Sequence, residues 1–261
     1  MLYICIPSFD EAPTVGVLLW RIRKVFQELS REYEIVVYDD ASTDATAETL
    51  APYGDVLPLT VVRGEQRLGY AGALDALART VTRRSRYARR DAAIFMQADF
   101  TDQPEHIPEL VKRFEGGADL VVAERPASQA GPVAVQRLRR FAPWLLRPFV
   151  AVPGISDPFG SFRLVRVSVL RDVLKSNASE SPAVTEGWAA NVEFLLRAAE
   201  HARRVETVLL EPRYDLRPRE TRVRPLADAV SLTRFGWRSR GRRPVVKPTA
   251  SPAPSTTRTA T

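Results

Sequence analysis

Residues 94–105 read IFMQADFTDQPE, and within this stretch an apolar run ends in a cluster of oxygen-bearing side chains. The apolar residues 92–96 predict a buried strand, and Pro104 is typical of the first turn of a helix. The cluster starts with the amide of Gln97, although a second carboxylate beside Asp99 would be the simpler pattern for holding a hard cation. The stretch therefore predicts a strand, a polar loop and a helix, and the loop requires a functional explanation.

Apolar strands and amphipathic helices alternate along the first half of the chain. Strands are predicted at residues 2–6, 34–38, 56–62, 92–96 and 119–123, and helices at residues 13–29, 42–50, 74–81 and 104–114. The first helix repeats Val15, Leu18, Leu19 and Ile22 at the spacing of one helical face. This alternation predicts an α/β fold with a mostly parallel, Rossmann-like sheet that is flanked by helices on both faces.

Polar residues follow four of the five predicted strands. They are residues 7–11 after the first strand, 39–40 after the second, 97–102 after the fourth and 124–125 after the fifth. Ligands of parallel sheets bind beyond the carboxyl ends of the strands, and these ends share one edge. A single acidic strand end is more often a helix cap than a site. Four such ends on one edge favour a common ligand crevice.

The second part of the chain follows a different pattern. Aromatic and arginine residues mingle at 137–152, a polar turn spans 156–163, a helix is predicted at 187–201, a strand at 204–210, a basic loop at 217–224 and a last helix at about 226–237. Residues 241–261 are rich in Pro, Ser, Thr and Ala and predict a disordered tail. We therefore expect one domain over residues 1–240, with one half at about 1–126 and the other at about 127–240.

The composition limits the class of protein. A chain of 261 residues with 45% apolar content suits a globular core. Cys5 is the only cysteine, so no disulfide framework forms within the chain and a cytoplasmic location is expected. His106 and His201 are too few for a histidine-based metal site. Residues 2–6 are interpreted as a strand rather than a signal peptide, and no apolar run approaches the roughly 20 residues of a membrane span.

Four stretches carry a resemblance to one family of enzymes. They are CIPSFDEAPTVGVLL (5–19), EIVVYDDASTDAT (34–46), FMQADFTDQPEHIPELVKRFEGGADLVVAER (95–125) and DPFGSFRLVRVSVL (157–170). Together they resemble the inverting glycosyltransferases of family 2, which have the GT-A fold, and most closely the polyprenyl-phosphate (dolichol-phosphate) sugar synthases. The resemblance implies a nucleotide-sugar half at about residues 1–126, an acceptor half at about 127–240 and a role in the synthesis of cell-envelope glycans.

The resemblance also implies a set of site residues. Pro7, Phe9 and Glu11 match a base-and-ribose pocket, Asp39 and Asp40 match nucleoside contacts, Asp99 with Gln97 and Thr101 matches a cation site, and Arg125, Arg217 and Arg222 match arginines that face the phosphates or the acceptor. The cation, Mg²⁺ or Mn²⁺, would neutralise the leaving diphosphate. Gln97 replaces the first acid of the family motif. An amide oxygen can bind a cation but brings no charge, so we expect weaker metal affinity or a greater dependence on the nucleotide's phosphates.

The implied reaction is a single displacement, with inversion, at the anomeric carbon of a nucleoside-diphosphate sugar. A polyprenyl-phosphate acceptor is already anionic and needs arginines to orient it, for which Arg217, Arg222 and Arg163 are suited. Residues 137–152 combine aromatic and basic residues as interfacial helices do, which favours peripheral contact with the inner face of the cell membrane. An ordinary helix packed on the sheet is the alternative for this segment.

A hydroxyl acceptor on a saccharide or small molecule would instead need a general base. Asp157 is the first candidate, ahead of Glu186 and Glu193. The alternative interpretation of Asp157 is a turn-forming residue before Pro158.

Two further classes of function stay open from the sequence. Gln97 is compatible with a catalytically degenerate protein that binds a nucleotide sugar without turnover. The net charge of +7 is compatible with nucleic-acid binding. However, the aromatic residues are not interleaved with the basic runs in a stacking pattern, so no nucleic-acid partner is expected.

Overall fold

A computed structural model describes residues 1–124, 154–176, 187–210 and 230 of the chain. Within these residues seven strands form a single sheet: β1 (Leu2–Ser8), β2 (Tyr33–Asp39), β3 (Leu59–Arg63), β4 (Ala92–Phe95), β5 (Leu120–Glu124), β6 (Arg163–Arg166) and β7 (Val205–Leu209). The order across the sheet is β3-β2-β1-β4-β6-β5-β7. All pairings are parallel except those that β6 makes with β4 and β5. The predicted mostly parallel α/β fold is confirmed.

Six helices in the described part of the chain cover this sheet. They are α1 (Ala12–Glu28), α2 (Thr46–Leu50), α3 (Gly69–Arg84), α4 (Ile107–Glu115), α5 (Val167–Ser176) and α6 (Trp188–His201), with short 3-10 turns at Ala51–Asp55 and Pro104–His106. No helix in the described ranges is both long enough and apolar enough to cross a bilayer.

The central strand β1 shows how the sequence builds two cores from one sheet. Successive side chains of a strand point to opposite faces. Leu2, Ile4 and Ile6 accordingly pack in a cluster with α1 and α4, whereas Tyr3 and Cys5 pack in a second cluster with α3, α5 and α6. All seven residues of β1 are buried, as expected for a strand that is covered by helices on both faces.

Burial of Cys5 agrees with its interpretation as a small core residue. The thiol is completely buried, and this burial raises its pKa well above the ordinary value. A thiol that stays protonated is a poor nucleophile.

Two features of the sheet differ from the sequence-based expectation. The segment interpreted as a polar turn, residues 156–163, leads into β6 at Arg163 and then into α5, two elements that the sequence does not predict, and β6 separates β5 from β4. The strand has only four residues and carries an arginine at each end, so its sequence looks polar. The third strand begins at Leu59 rather than at residue 56, because a 3-10 turn precedes it and Val56 is left 57% exposed.

Candidate functional site

The loops that follow β1 and β2 are joined by reciprocal hydrogen bonds at the carboxyl edge of the sheet. The Asp10 backbone N–H donates to Ser42 Oγ over 3.0 Å, and the Thr43 backbone N–H donates to Asp10 Oδ1 over 2.8 Å. The Ala12 backbone N–H donates to Asp44 Oδ2 over 3.1 Å. Asp10 has a φ of 51°, a left-handed conformation that aspartate tolerates better than most residues. The two loops therefore form one stiff rim.

The hydrogen bonds to Asp44 also affect its protonation. Burial alone would raise its pKa, but hydrogen bonds from Thr46 and from the Ala12 backbone outweigh that effect, so the pKa of Asp44 lies below the ordinary value.

Asp39 and Asp40, adjacent at the end of β2, have different environments. Asp39 is completely buried; its Oδ1 accepts the Ser42 backbone N–H over 3.0 Å. Its Oδ2 lies 3.6 Å from the Arg63 guanidinium and accepts no hydrogen bond from the described residues. Asp40 accepts two backbone N–H groups, from Leu68 over 2.7 Å and from Gly69 over 2.9 Å. Asp40 thus organises the start of α3, and the role of Asp39 toward a ligand stays a prediction.

A flat, charged surface lies beside this rim. The Arg67 guanidinium is 3.8 Å from the centroid of the Phe9 ring, and Phe9 is only half-buried. Arg67 belongs to the loop between β3 and α3 and was not among the residues singled out from the sequence. The signal that could have found it is a basic residue in a loop flanked by Gly64 and Gly69, directly after a strand.

Pro7 and Glu11 lie deeper in the same rim. Pro7 is a buried residue of β1 and pairs with Tyr38 in register. Glu11 is 4% exposed; its backbone N–H donates to Thr46 Oγ1 over 2.9 Å, and its Oε2 accepts from Thr14 Oγ1 over 3.1 Å. Both residues therefore lie where a pocket wall is expected, and their roles toward a ligand stay predictions.

The loop after β4 folds back on itself around its own carboxylates. The Thr101 backbone N–H donates to Asp99 Oδ1 over 3.0 Å, and Phe100 has a φ of 62°. The Gln97 backbone N–H donates to Asp102 Oδ2 over 3.0 Å, and Ser161 Oγ donates to the same oxygen over 2.9 Å. The last bond brings the segment before β6 against this loop.

The donor set of this loop fits a hard divalent cation. Asp99 supplies a carboxylate, Gln97 an amide oxygen and Thr101 a hydroxyl, and Mg²⁺ and Mn²⁺ prefer oxygen ligands. The described residues contain no cluster of three or more His, Cys, Asp or Glu side chains that could hold a metal by themselves. A cation at Asp99 would therefore take most of its remaining ligands from water and from a bound phosphate.

The side-chain amide of Gln97 is held by Tyr70, which connects it to Asn191 in the second half of the chain. Its Nε2 donates to the Tyr70 hydroxyl over 3.0 Å, and this hydroxyl donates to Asn191 Oδ1 over 2.9 Å. Asn191 Nδ2 then donates to the Phe159 carbonyl over 3.3 Å. Burial of its hydroxyl end raises the pKa of Tyr70 well above the ordinary value, so the hydroxyl keeps its proton. Tyr70 and Asn191 were not predicted as site residues.

Asp157 lies in the turn that leads to β6. Its Oδ1 accepts the Phe159 backbone N–H over 3.2 Å, and its own backbone N–H donates to Glu124 Oε1 over 3.4 Å. A Cβ atom on the neighbouring Gly160 would lie 2.9 Å from the Ala123 carbonyl, so the turn can approach β5 only with glycine there. These contacts are those of a turn-forming residue, and the role of Asp157 as a base stays a prediction.

Arg163, which is expected to orient an acceptor, and Glu193, a candidate base, are both buried. Arg163 is completely buried, donates to the carbonyls of Asn191 and Gly160, and lies over the Phe194 ring. Burial lowers its pKa to about 10, so it remains charged at neutral pH. The buried Glu193 carboxylate accepts from Arg197 over 2.7 Å. Both side chains thus have partners within the protein, and their roles toward an acceptor stay predictions.

Several predicted residues and segments lie outside the described residues. They are Arg125, Arg217, Arg222 and Glu186, together with residues 137–152, the basic loop at 217–224, all but residue 230 of the helix expected at 226–237, and the tail at 241–261.

Comparison with solved structures defines the class of fold. Glucosyl-3-phosphoglycerate synthase from Mycobacterium tuberculosis superimposes with a TM-score of 0.61 at 20% identity, over 90% of this chain and 77% of that protein. The same enzyme in complex with Mn²⁺, UDP-glucose and phosphoglyceric acid gives a TM-score of 0.59 at 19% identity, over 90% and 76% of the two chains. The fold is that of the GT-A glycosyltransferases.

Sequence comparison defines the family. The profile described as "Glycosyl transferase family 2" matches residues 3–174, and the chain belongs to this family. The bactoprenol glucosyl transferase of Shigella phage SfV is 31% identical in an alignment 180 residues long that covers 65% of this chain and 53% of that protein. The SfII prophage-derived bactoprenol glucosyl transferase of Shigella flexneri matches to the same extent. The chain thus spans about half the length of the curated relatives it matches.

Proposed function

We propose that this chain transfers a sugar from a nucleoside-diphosphate sugar to a polyprenyl phosphate, with inversion at the anomeric carbon. One observation carries the proposal: β1 pairs with β2 on one side and with β4 on the other, so Asp39 and the loop with Asp99 flank the end of a single strand. A nucleotide and its diphosphate can bind across such an edge. Membership of glycosyl transferase family 2 supports this assignment.

On the donor side, each residue has a role that follows from its environment. The Phe9 ring and the Arg67 guanidinium offer a flat surface for a base. Asp39 Oδ2 is a buried acceptor for an N–H or hydroxyl group of the nucleoside. Pro7 and Glu11 form the wall of the pocket, and Asp40 holds the loop that carries Arg67.

Asp99, Gln97 and Thr101 would hold Mg²⁺ or Mn²⁺ between them. When bound, the cation neutralises the charge that develops on the leaving diphosphate. The solved complex of the M. tuberculosis enzyme with Mn²⁺ and UDP-glucose supports a divalent cation and a nucleotide-sugar donor for a protein of this fold. We assign Arg125, Arg217 and Arg222 to the phosphates of the donor and the acceptor.

The acceptor assignment rests on the relatives, which are named bactoprenol glucosyl transferases. A lipid phosphate already carries the attacking charge, so the protein needs to orient it rather than deprotonate it.

We further propose a cytoplasmic location with peripheral contact at the inner face of the membrane, carried by residues 137–152. Co-sedimentation with anionic liposomes tests this contact: Phe141→Ala and Trp144→Ala should weaken it, and equal binding would refute it.

A hydroxyl acceptor is the second candidate. It is favoured by the placement of Asp157, whose turn is joined to the loop after β4 by the bond between Ser161 and Asp102. A carboxylate at that position can take the proton of an attacking hydroxyl.

The deciding experiment measures nucleoside diphosphate release from UDP-, GDP- and dTDP-sugars with Mn²⁺ or Mg²⁺, with polyprenyl phosphate or sugar hydroxyls as the acceptor. We expect release with the lipid phosphate and a loss of about 100-fold or more in Asp99→Ala. Asp172→Ala, which removes an exposed carboxylate on α5, is the control and should retain full activity. Donor binding without turnover would indicate a degenerate transferase, and full activity of Asp99→Ala would refute the site.

A further inference from the structure

The Phe159 carbonyl determines the direction of the hydrogen bonds that connect it through Asn191 and Tyr70 to Gln97. The Phe159 carbonyl can only accept, so the Asn191 side chain must turn its NH₂ toward it and its oxygen toward Tyr70. The Tyr70 hydroxyl has one proton and donates it to that oxygen. Toward Gln97 the hydroxyl can then only accept, which selects the NH₂ end of the Gln97 amide.

This chain of bonds determines which atom Gln97 offers to a ligand. With Nε2 engaged by Tyr70, the amide oxygen is the remaining acceptor of the side chain. No described residue donates a hydrogen bond to this oxygen, and Gln97 is only half-buried. An amide without such a partner could present either end, and its NH₂ end would repel a cation.

We propose that Tyr70 and Asn191 are positioning residues that hold the Gln97 amide with its oxygen toward the cation-diphosphate site, and that the amide at position 97 is matched to Tyr70. The inference rests on the proposed function, because it assumes a cation-diphosphate at Asp99. It explains why this loop begins with an amide. A carboxylate at position 97 would meet a hydroxyl whose proton is already donated to Asn191, so one of the two acceptors would lose its donor.

The first test removes only the hydroxyl. Tyr70→Phe in the full chain leaves the ring in place, and Mn²⁺ affinity is measured by electron paramagnetic resonance of free Mn²⁺ in the presence of UDP, GDP or dTDP, without turnover. We expect the affinity to fall about 3- to 10-fold, the range for one lost neutral hydrogen bond. Tyr87→Phe, at a tyrosine that is 66% exposed, is the control and should bind Mn²⁺ as the wild type does.

The outcomes of this test separate the inference from the proposed function. If the wild type does not bind Mn²⁺ with any nucleotide, the cation-diphosphate site is wrong and the inference falls with it. If the wild type binds and Tyr70→Phe binds equally well, the inference alone is wrong.

A second variant, Gln97→Glu, tests the match with Tyr70 through stability as well as through Mn²⁺ binding. If charge alone mattered, Gln97→Glu would tighten Mn²⁺ binding and leave stability unchanged. A match with Tyr70 instead predicts an approximately 10-fold lower folding constant in urea denaturation, because one buried acceptor loses its donor. In the Tyr70→Phe background, Gln97→Glu should lower the folding constant by a several-fold smaller factor. Equal costs in both backgrounds, or tighter Mn²⁺ binding at full stability, would overturn the inference.

Discussion

The two sides of the sheet edge are built by different chemistry. Around β1 and β2, carboxylates hold the loops: Asp10, Asp40 and Asp44 each accept backbone N–H groups from a neighbouring segment. The loop after β4 also folds on its own carboxylates, Asp99 and Asp102. Its link to α6, however, is made by the neutral side chains of Gln97, Tyr70 and Asn191. In the described part of the chain, most acids of the family motifs therefore accept hydrogen bonds from the backbone, whereas the link between the loop after β4 and α6 is neutral.

Arg163 is a buried charge that contacts the Asn191 end of this neutral link, and its removal tests how far the link depends on it. Arg163→Ala would leave a cavity and the carbonyls of Asn191 and Gly160 without their donor. We expect a loss of about 3–5 kcal/mol in the free energy of unfolding. Urea denaturation measures it, with the exposed Arg90→Ala as the control. A loss below about 1 kcal/mol would show that the link tolerates the change.

The next largest effect is expected at the two adjacent carboxylates at the end of β2, Asp39 and Asp40. In Asp40→Asn, an NH₂ group would face one of the two backbone N–H groups that the carboxylate now accepts. We expect a loss of about 1–3 kcal/mol in the free energy of unfolding. Nucleotide affinity, measured by calorimetry on the folded protein without urea, should change less than in Asp39→Asn.

Asp39→Asn should show the opposite pattern. The substitution replaces a buried carboxylate oxygen that accepts no hydrogen bond from the described residues, so its main effect falls on the ligand. We expect nucleotide affinity to drop about 10-fold, which corresponds to about 1.4 kcal/mol. Calorimetric titration checks it. An unchanged affinity, together with a stability loss equal to that of Asp40→Asn, would remove the distinction between the two residues.

The smallest expected effect is the pH dependence of the charged rim. The folded-state pKa of Asp44 lies below its unfolded value. Its contribution to stability is therefore complete above about pH 4 and is lost as the pH falls through the folded-state pKa. The stability difference between wild type and Asp44→Asn, followed by urea denaturation from neutral to acidic pH, should shrink below about pH 4. A difference that stays constant would contradict this account of Asp44.

The sequence predicts the elements around the carboxyl edge of the sheet well, because apolar strands and amphipathic helices are easily recognised there. Helix α1, for example, was expected at residues 13–29 and spans Ala12–Glu28. It does not predict β6, whose Arg163 looks like a surface residue until its carbonyl partners are known. Nor does it predict the pairing of Tyr70 with Asn191, which are 121 residues apart. Such contacts depend on how distant segments pack, and no local pattern records them.

We expect above all that the loop after β4 holds a cation against a nucleoside diphosphate. Calorimetric titration of the chain with UDP, GDP and dTDP, with and without Mn²⁺, tests it. We predict that Mn²⁺ raises the affinity for at least one of them by about 10-fold or more and that Asp99→Ala abolishes this gain. Equal affinities with and without Mn²⁺ in the wild type, or a gain that survives in Asp99→Ala, would contradict it.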